Sequence, residues 1–150
     1  MQTLKNEMLT IQVSEHGAEL QSIRKDDYEY LWQGNPEYWG RRSPVLFPIV
    51  GSVWDKCFRV DGKVYEMGQH GFARDMDFEL VSAADTEVWY RLKSSEKTLA
   101  AYPWPFVLEI GYRLEGNSVK VLWKVTNPGD TEMFFQIGAH PAFNYPGYDP

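Results

Sequence analysis

Hydrophobic residues recur at every second position through most of the chain, a period typical of β-strands with one buried face. The pattern is clearest in residues 106–114 and 119–125, which are joined by a short segment containing Gly116 and Asn117. Gly and Asn tolerate the positive φ angles that tight turns need. This region therefore predicts a β-hairpin.

Shorter alternating segments are spread along the rest of the chain. A second hairpin is predicted where residues 58–60 and 63–65 flank an Asp-Gly pair. Further strands are predicted at residues 9–13, 18–22, 76–80, 88–92 and 133–137. The segment most similar to a helix, residues 94–101, is too short and too close to Pro103 to predict an amphipathic helix. The predicted fold class is all-β, an antiparallel β-sandwich.

The length and composition of the chain further indicate a single domain with a net negative charge. A chain of 150 residues can bury one core, and no linker or repeat divides it, so a single domain over residues 1–150 is predicted. Its 15 basic and 21 acidic residues give a net charge of −6, which repels phosphate backbones and anionic lipids. We therefore expect no nucleic acid or membrane partner. One cysteine and no signal peptide at the N-terminus predict a cytoplasmic protein.

Two stretches combine polar groups with prolines or a glycine that shape the backbone. Residues 41–51, RRSPVLFPIVG, predict a bent or edge strand between two prolines, with arginines at one end. The alternative is a buried strand with solvated flanks. Residues 69–75, QHGFARD, place His70 beside a glycine that lets the backbone pass close to a ligand. His70 is interpreted either as a ligand-binding residue or as the cap of a turn.

A third stretch, residues 136–146, has the sequence QIGAHPAFNYP. Pro141 favours an extended backbone at His140, at the end of the strand predicted for residues 133–137. Strand alternation turns His140 away from the face that carries Ile137 and Ala139. The aromatic and amide side chains that follow predict a sugar-binding mouth. The alternative is a core histidine that bonds to a backbone carbonyl.

Other chemistries find little support in the sequence. The three histidines lack the spacing of metal ligands, and no GxSxG motif for a serine hydrolase is present, so neither a metal site nor a serine hydrolase is expected. Four tryptophans are candidates for stacking on a sugar or for core packing, namely Trp32, Trp39, Trp54 and Trp104.

The chain resembles the galactose mutarotase-like superfamily of aldose 1-epimerases in five motifs. In chain order these are GAEL, SPVLFPIVG, QHGFARD, YPWPFVLEIGYRL and IGAHPAFNYP. The resemblance is to the LacX-type and hexose-phosphate-mutarotase-like branches and covers the N-terminal half of a typical member. It implies a large β-supersandwich that interconverts the α and β anomers of a hexose or hexose phosphate. General acid and base catalysis opens the sugar ring without a cofactor.

The resemblance also assigns roles to residues. His140 would protonate the ring oxygen, and His70 would bind a sugar oxygen. Asp55 and Lys56 stand where classical members carry an Asn-Arg pair, so hydrogen bonding to the substrate should differ. The candidates for substrate binding are Arg42, Asp55, Lys56, Arg74, Phe143 and Asn144.

The family's catalytic glutamate and substrate-binding aspartate lie in a C-terminal half that matches no part of this sequence. If residues 1–150 are the whole protein, we expect weak or no epimerase activity and unpaired strands that favour a homo-oligomer. If they belong to a longer product, pairing with the C-terminal half is expected. The alternative functions are a non-catalytic carbohydrate-binding sandwich and a purely structural or interaction role.

Overall fold

The computed structural model describes residues 1–145 and 147. Pro146, the last residue of the stretch 136–146, and residues 148–150 lie outside the described residues. The strands are β1 Gln2–Lys5, β2 Thr10–Val13, β3 Leu20–Lys25, β4 Tyr28–Glu29, β5 Val45–Leu46, β6 Cys57–Val60, β7 Lys63–Glu66, β8 Glu79–Ala83, β9 Glu87–Lys93, β10 Val107–Glu115, β11 Ser118–Thr126 and β12 Gly138–Ala139. The helices are α1 Glu96–Ala101 and the 3-10 helices Trp54–Lys56 and Ala73–Asp75.

Antiparallel pairing organises these strands into two four-stranded sheets and two smaller ones. One large sheet has the order β1-β2-β3-β4 and the other β11-β10-β9-β8, while β12 pairs with β5 and β6 pairs with β7. Both predicted hairpins are confirmed, as β10-β11 and β6-β7. Their turns use left-handed backbone, with φ of 56° at Gly116 and of 49° and 79° at Asp61 and Gly62.

The core lies between the two large sheets, as the alternation predicted. Leu4, Ile11 and Val13 of the first sheet join Tyr90 and Leu108 of the second in one buried cluster. The buried hydroxyl of Tyr90 donates to the Val13 carbonyl oxygen at 3.2 Å and so satisfies a polar group inside the core. Burial raises the pKa of Tyr90 to about 12. The fold is therefore an all-β antiparallel sandwich.

The structure corrects the prediction that residues 94–101 form no helix. The Ser95 hydroxyl accepts from the Thr98 amide, and the Thr98 hydroxyl accepts from the Ser95 amide, so a reciprocal capping box starts α1. Buried Thr98 anchors this single short turn against the core. In the described part of the chain, no helix is long and apolar enough to cross a membrane.

The strand predicted for residues 133–137 is also wrong. This segment runs without strand pairing, and only Gly138–Ala139 forms a ladder, opposite β5. β5 itself spans two residues, so it offers too few backbone groups to extend the pairing. Phe134 and Phe135 of the unpaired segment are 62% and 43% exposed.

One apolar stripe of the longer hairpin is open to solvent. Residues 108–114 of β10 bury their inward side chains, whereas Val121 and Trp123 of β11 are 44% and 41% exposed. They line a groove together with Pro141 and Phe143. The predicted association with a second copy or with a C-terminal half stays a prediction.

Candidate functional site

The bent segment around β5 brings the three sequence motifs together. On one side, β12 pairs with β5, and the backbone N–H of His140 donates to the Pro44 carbonyl at 3.1 Å. On the other side, the Phe47 carbonyl accepts from the amides of Phe72 and Ala73, both at 3.1 Å. Segments 25 to 96 residues apart in sequence thus become neighbours across one short strand. The motifs that carry His70 and His140 therefore flank a common element.

Gly71 permits the close approach on the His70 side. Its φ is +71°, and a Cβ atom built at this position would lie 2.3 Å from the Phe47 carbonyl oxygen. Any larger residue would have to push apart two backbone segments, which are hydrogen-bonded to each other. A glycine is therefore required if the His70 loop is to pack against β5.

The His70 ring is held by the backbone of Gly51. The Gly51 N–H donates to His70 Nδ1 at 2.9 Å, and the His70 N–H donates to the Gly51 carbonyl at 2.7 Å. Because Nδ1 accepts a hydrogen bond, the proton of the neutral ring lies on Nε2. Burial lowers the pKa of His70, and the positive charges of Arg74, His140 and Arg41 lower it further. His70 is therefore fixed as a neutral donor through Nε2.

His140 is constrained in a different way. Its segment is hydrogen-bonded on both sides, since Ala142 N donates to the Arg42 carbonyl and Trp32 N donates to the Ala142 carbonyl, each at 2.9 Å. The side chain is exposed, and no hydrogen bond joins its ring to another residue of the described segments. Its ring lies 5.0 Å from that of Trp39 in an edge-to-face contact. Among the described residues, both ring nitrogens of His140 are therefore without a hydrogen-bond partner.

The alternation argument for His140 agrees with this geometry. Ala139 and Pro141 line the apolar groove beside β11, whereas His140 between them contacts Trp39. The histidine thus faces away from the apolar groove, as predicted from strand parity.

Two guanidinium groups complete the cluster. Arg41 Nη2 donates to Asp75 Oδ1 at 2.7 Å, and Arg74 Nη2 donates to the Gln69 carbonyl at 2.8 Å. The Nε of Arg74 is buried and lies 3.6 Å from Asp75 Oδ2, close enough for charge attraction but too far for a hydrogen bond. Burial and the charge of Arg41 lower the pKa of Arg74, while Asp75 raises it. The site thus concentrates positive charge on an acidic protein.

Arg41 and Asp75 lie in two of the motifs singled out from the sequence but are not among the predicted substrate-binding residues. The adjacent arginines look equivalent in the sequence, but their side chains reach different parts of the fold. Arg41 reaches Asp75, whereas Arg42 Nη1 donates to the Gln21 carbonyl at 2.8 Å. No sequence signal distinguished the two, because the distinction depends on which side meets the His70 loop.

The other predicted substrate-binding residues lie around the cluster rather than within it. Asp55 and Lys56 form an exposed left-handed turn, with φ of 51° and 54°, that lines a separate concavity with Cys57. Phe143 lies on the apolar groove, and Asn144 Nδ2 donates to the carbonyls of Glu29 and Leu31. Substrate binding by these residues and by Arg42 stays a prediction.

The loop of Asp55 and Lys56 is nevertheless attached to the His70 loop at both of its ends. At the start of this loop Gly51 is hydrogen-bonded to His70, and at its end the Lys56 carbonyl accepts from the Met67 amide at 2.9 Å.

Within residues 1–145 and Gly147, no group of three or more His, Cys, Asp or Glu side chains is placed to hold a metal ion.

Comparisons with known proteins place this antiparallel β-sandwich in the class of galactose mutarotase-like proteins. The sequence model of the aldose 1-epimerase family matches residues 1–149. The chain is 40% identical to the chromosomal LacX protein of Lactococcus lactis subsp. lactis, an alignment that covers 95% of this chain and 50% of LacX. The chain belongs to the aldose 1-epimerase family.

Solved structures show the same relationship. A galactose mutarotase related enzyme from Lactobacillus acidophilus has a TM-score of 0.96 and 41% identity, covering 99% of this chain and 51% of that one. A galactose mutarotase-like protein from Lactobacillus casei has a TM-score of 0.93 and 38% identity, covering 96% and 50%. The chain thus spans about half the length of the relatives it matches.

Proposed function

We propose that this chain supplies the acid side of a sugar mutarotase, in which His140 protonates the ring oxygen of a hexose or hexose phosphate. The observation that carries the proposal is the division of roles between the two histidines. His70 is held as a neutral donor by Gly51, whereas the ring of His140 is exposed on a firmly bonded segment. One is suited to bind an oxygen and the other to transfer a proton.

The reaction balances with one acid and one base. The base takes the proton of the anomeric hydroxyl, the C1–O5 bond breaks, a C1 carbonyl forms, and His140 delivers a proton to O5. Rotation about C1–C2 and the reverse steps then close the ring as the other anomer. A positioned acid contributes about 10²–10⁴-fold to such a reaction.

We assign the base to no residue of this chain. Asp75 is the carboxylate beside the histidines and arginines, but it pairs with Arg41 at 2.7 Å and attracts Arg74 at 3.6 Å. Asp75 is better suited to orient the two arginines.

The arginines support recognition of a hydroxyl-rich or phosphorylated sugar. Arg41 and Arg74 retain N–H groups beyond those given to Asp75 and Gln69. Arginine forms paired hydrogen bonds to phosphate oxygens, and a partly buried guanidinium binds them more strongly than an exposed one does. We therefore propose that these two residues bind the polar end of the substrate.

A carbohydrate-binding role without catalysis is the second candidate. It is favoured by the pairing of Asp75 with Arg41, since the carboxylate of the His70 motif is then engaged by an arginine rather than free to act with His140. The two functions differ in one measurable property: both require saturable sugar binding, but only the mutarotase accelerates exchange between anomers.

The test is magnetisation-exchange NMR between the anomers of glucose, galactose and their 6-phosphates, with the full natural gene product. We expect accelerated exchange, and a loss of about 100-fold or more in kcat for His140→Asn, because the ring oxygen loses its proton donor. The matched control is His16→Asn, which changes an exposed histidine paired with Asp77 at 2.7 Å. Sugar binding without faster exchange would establish the binding role, and full activity of His140→Asn would refute His140 as the acid.

A further inference from the structure

The contact between Trp39 and His140 has no part in the function proposed so far. The two ring centroids are 5.0 Å apart and their planes meet at 64°, within the range of favourable edge-to-face aromatic pairs. Trp39 is half-buried, whereas the neighbouring Tyr38 is 76% exposed. The indole is thus packed against the histidine rather than extended into solvent.

A second tryptophan fixes the position of the first. Trp32 Nε1 donates to the Trp39 carbonyl at 2.8 Å, and the Trp32 backbone N–H donates to the Ala142 carbonyl at 2.9 Å. Trp32 therefore connects the turn that carries Trp39 directly to the segment that carries His140. The backbone N–H of Trp39 closes the turn by donating to the Asn35 carbonyl, also at 2.9 Å. The two rings in contact are held on one hydrogen-bonded frame.

The side chain of His140 needs such a support if it is to act as an acid. Its backbone is fixed, but two side-chain torsions remain, and no described residue bonds to its ring. Efficient proton transfer requires a catalytic group to be held within roughly 10–20° of its productive orientation. In His70 a backbone N–H meets this need. In His140 the ring of Trp39 is the group placed to do so.

We infer that Trp39 is a positioning residue, whose indole restricts the His140 imidazole to the orientation in which it faces the sugar ring oxygen. This inference rests on the proposed function for its catalytic consequence, while the restriction of the ring is a property of the protein alone. Trp39 acts through His140, so its loss slows the proton transfer and leaves substrate binding nearly unchanged.

The kinetic test compares Trp39→Leu and Trp39→Phe with Trp89→Leu as the control, since Trp89 is a half-buried tryptophan of β9 whose Nε1 donates to Glu87. For Trp39→Leu we expect kcat to fall about 10-fold with KM changed less than about 2-fold, because a misplaced group loses rate before it loses binding. Trp39→Phe retains an aromatic edge or face and should recover most of the loss. A rise in KM without a fall in kcat would overturn the inference, because it would mean that Trp39 contacts the sugar directly.

A double-variant cycle tests the dependence on His140. If Trp39 acts only through this histidine, adding Trp39→Leu to His140→Asn should cause no further loss of rate. An equal loss in both backgrounds would overturn the inference.

NMR provides a readout independent of activity. In the free protein, the indole ring current shifts the His140 Cε1 proton, and Trp39→Leu should move that resonance while leaving those of His16 and His70 in place. An unmoved His140 resonance would overturn the inference. A moved resonance in a protein that does not accelerate anomer exchange would support the positioning and refute the proposed mutarotase function.

Discussion

The two histidines of the site differ in what holds them. A backbone amide fixes the ring of His70 and selects its protonation state, and its pKa is lowered by burial and by neighbouring positive charge. The ring of His140 is exposed and contacts Trp39, so packing rather than a hydrogen bond restricts it. A ring that must remain a neutral donor through one nitrogen benefits from a fixed N–H donor to its other nitrogen, whereas a ring that must exchange a proton needs both nitrogens accessible. The experiments below separate these two kinds of restraint.

Gly71→Ala should have the largest effect on stability, because Gly71 allows the His70 loop to pack against β5. The added Cβ would lie 2.3 Å from the Phe47 carbonyl oxygen at a φ of +71°. We expect a loss of more than about 2 kcal/mol in the free energy of unfolding, measured by urea denaturation, or failure to fold.

Gly62→Ala is the matched control for this change. Its φ is +79°, but a Cβ atom there would have no neighbour within 4 Å. We expect a loss of about 1 kcal/mol from the backbone conformation alone. Equal losses in the two variants would show that the approach of Gly71 to Phe47 is not what requires a glycine.

His70→Leu should affect binding where His140→Asn affects rate. Without the Nε2 donor, we expect KM to rise about 10-fold or more while kcat changes less, because one hydrogen bond to substrate is lost. His70→Gln should recover part of the affinity, since its amide is a neutral donor. Steady-state kinetics of the His70 and His140 variants checks this difference. A fall in kcat alone in both variants would contradict a binding role for His70.

The adjacent arginines provide a smaller and more local comparison. Arg41→Gln should weaken sugar binding by about 10-fold, because a charge-assisted bond is lost, and leave the unfolding free energy within about 0.5 kcal/mol. Arg42→Gln should show the reverse pattern, since Arg42 Nη1 serves the Gln21 carbonyl. Calorimetric titration measures the sugar affinity, and urea denaturation measures the free energy of unfolding. Weaker binding by Arg42→Gln alone would assign sugar binding to Arg42 instead of Arg41.

The smallest expected effect is a pH dependence of stability. Because the pKa of folded His70 lies below its ordinary value of 6.5, the unfolded chain takes up a proton first as the pH falls. Stability should therefore decrease below about pH 6.5 and stop decreasing, as far as His70 is concerned, once the folded ring is protonated. His70→Gln should flatten this part of the profile, and His16→Gln should retain it.

A separate decrease is expected at lower pH. Partners hold the pKa of four carboxyl groups below the ordinary value of 4.5, namely those of Glu15, Glu87, Glu109 and Glu115. Their contribution is present above that value and is lost as the pH falls through the lowered pKa values of the folded state. Urea midpoints measured between pH 3 and 8 should thus decrease over two pH ranges, and His70→Gln should flatten only the decrease at the higher pH.

Much of the fold and part of the site followed from the sequence. The alternation of residues 106–114 and the Asp-Gly turn at residue 61 specify hairpins through local contacts, so both were predictable. The short helix α1 was missed because its capping box uses Thr at the third helical position, where Glu or Gln is the usual signal. Residues 133–137 alternate like a strand but remain unpaired, because a ladder needs a partner of matching length.

By itself, the sequence determined the all-β class, the two hairpins and the orientation of His140, because side-chain alternation and the restriction before Pro141 act within a few residues. Only the tertiary structure decided that Arg41 rather than Arg42 meets Asp75, that Gly51 holds the His70 ring, and that Trp39 packs against His140. These contacts join segments 19 to 101 residues apart. Such distant partners are selected by how the sheets pack around β5, a property that no local pattern contains.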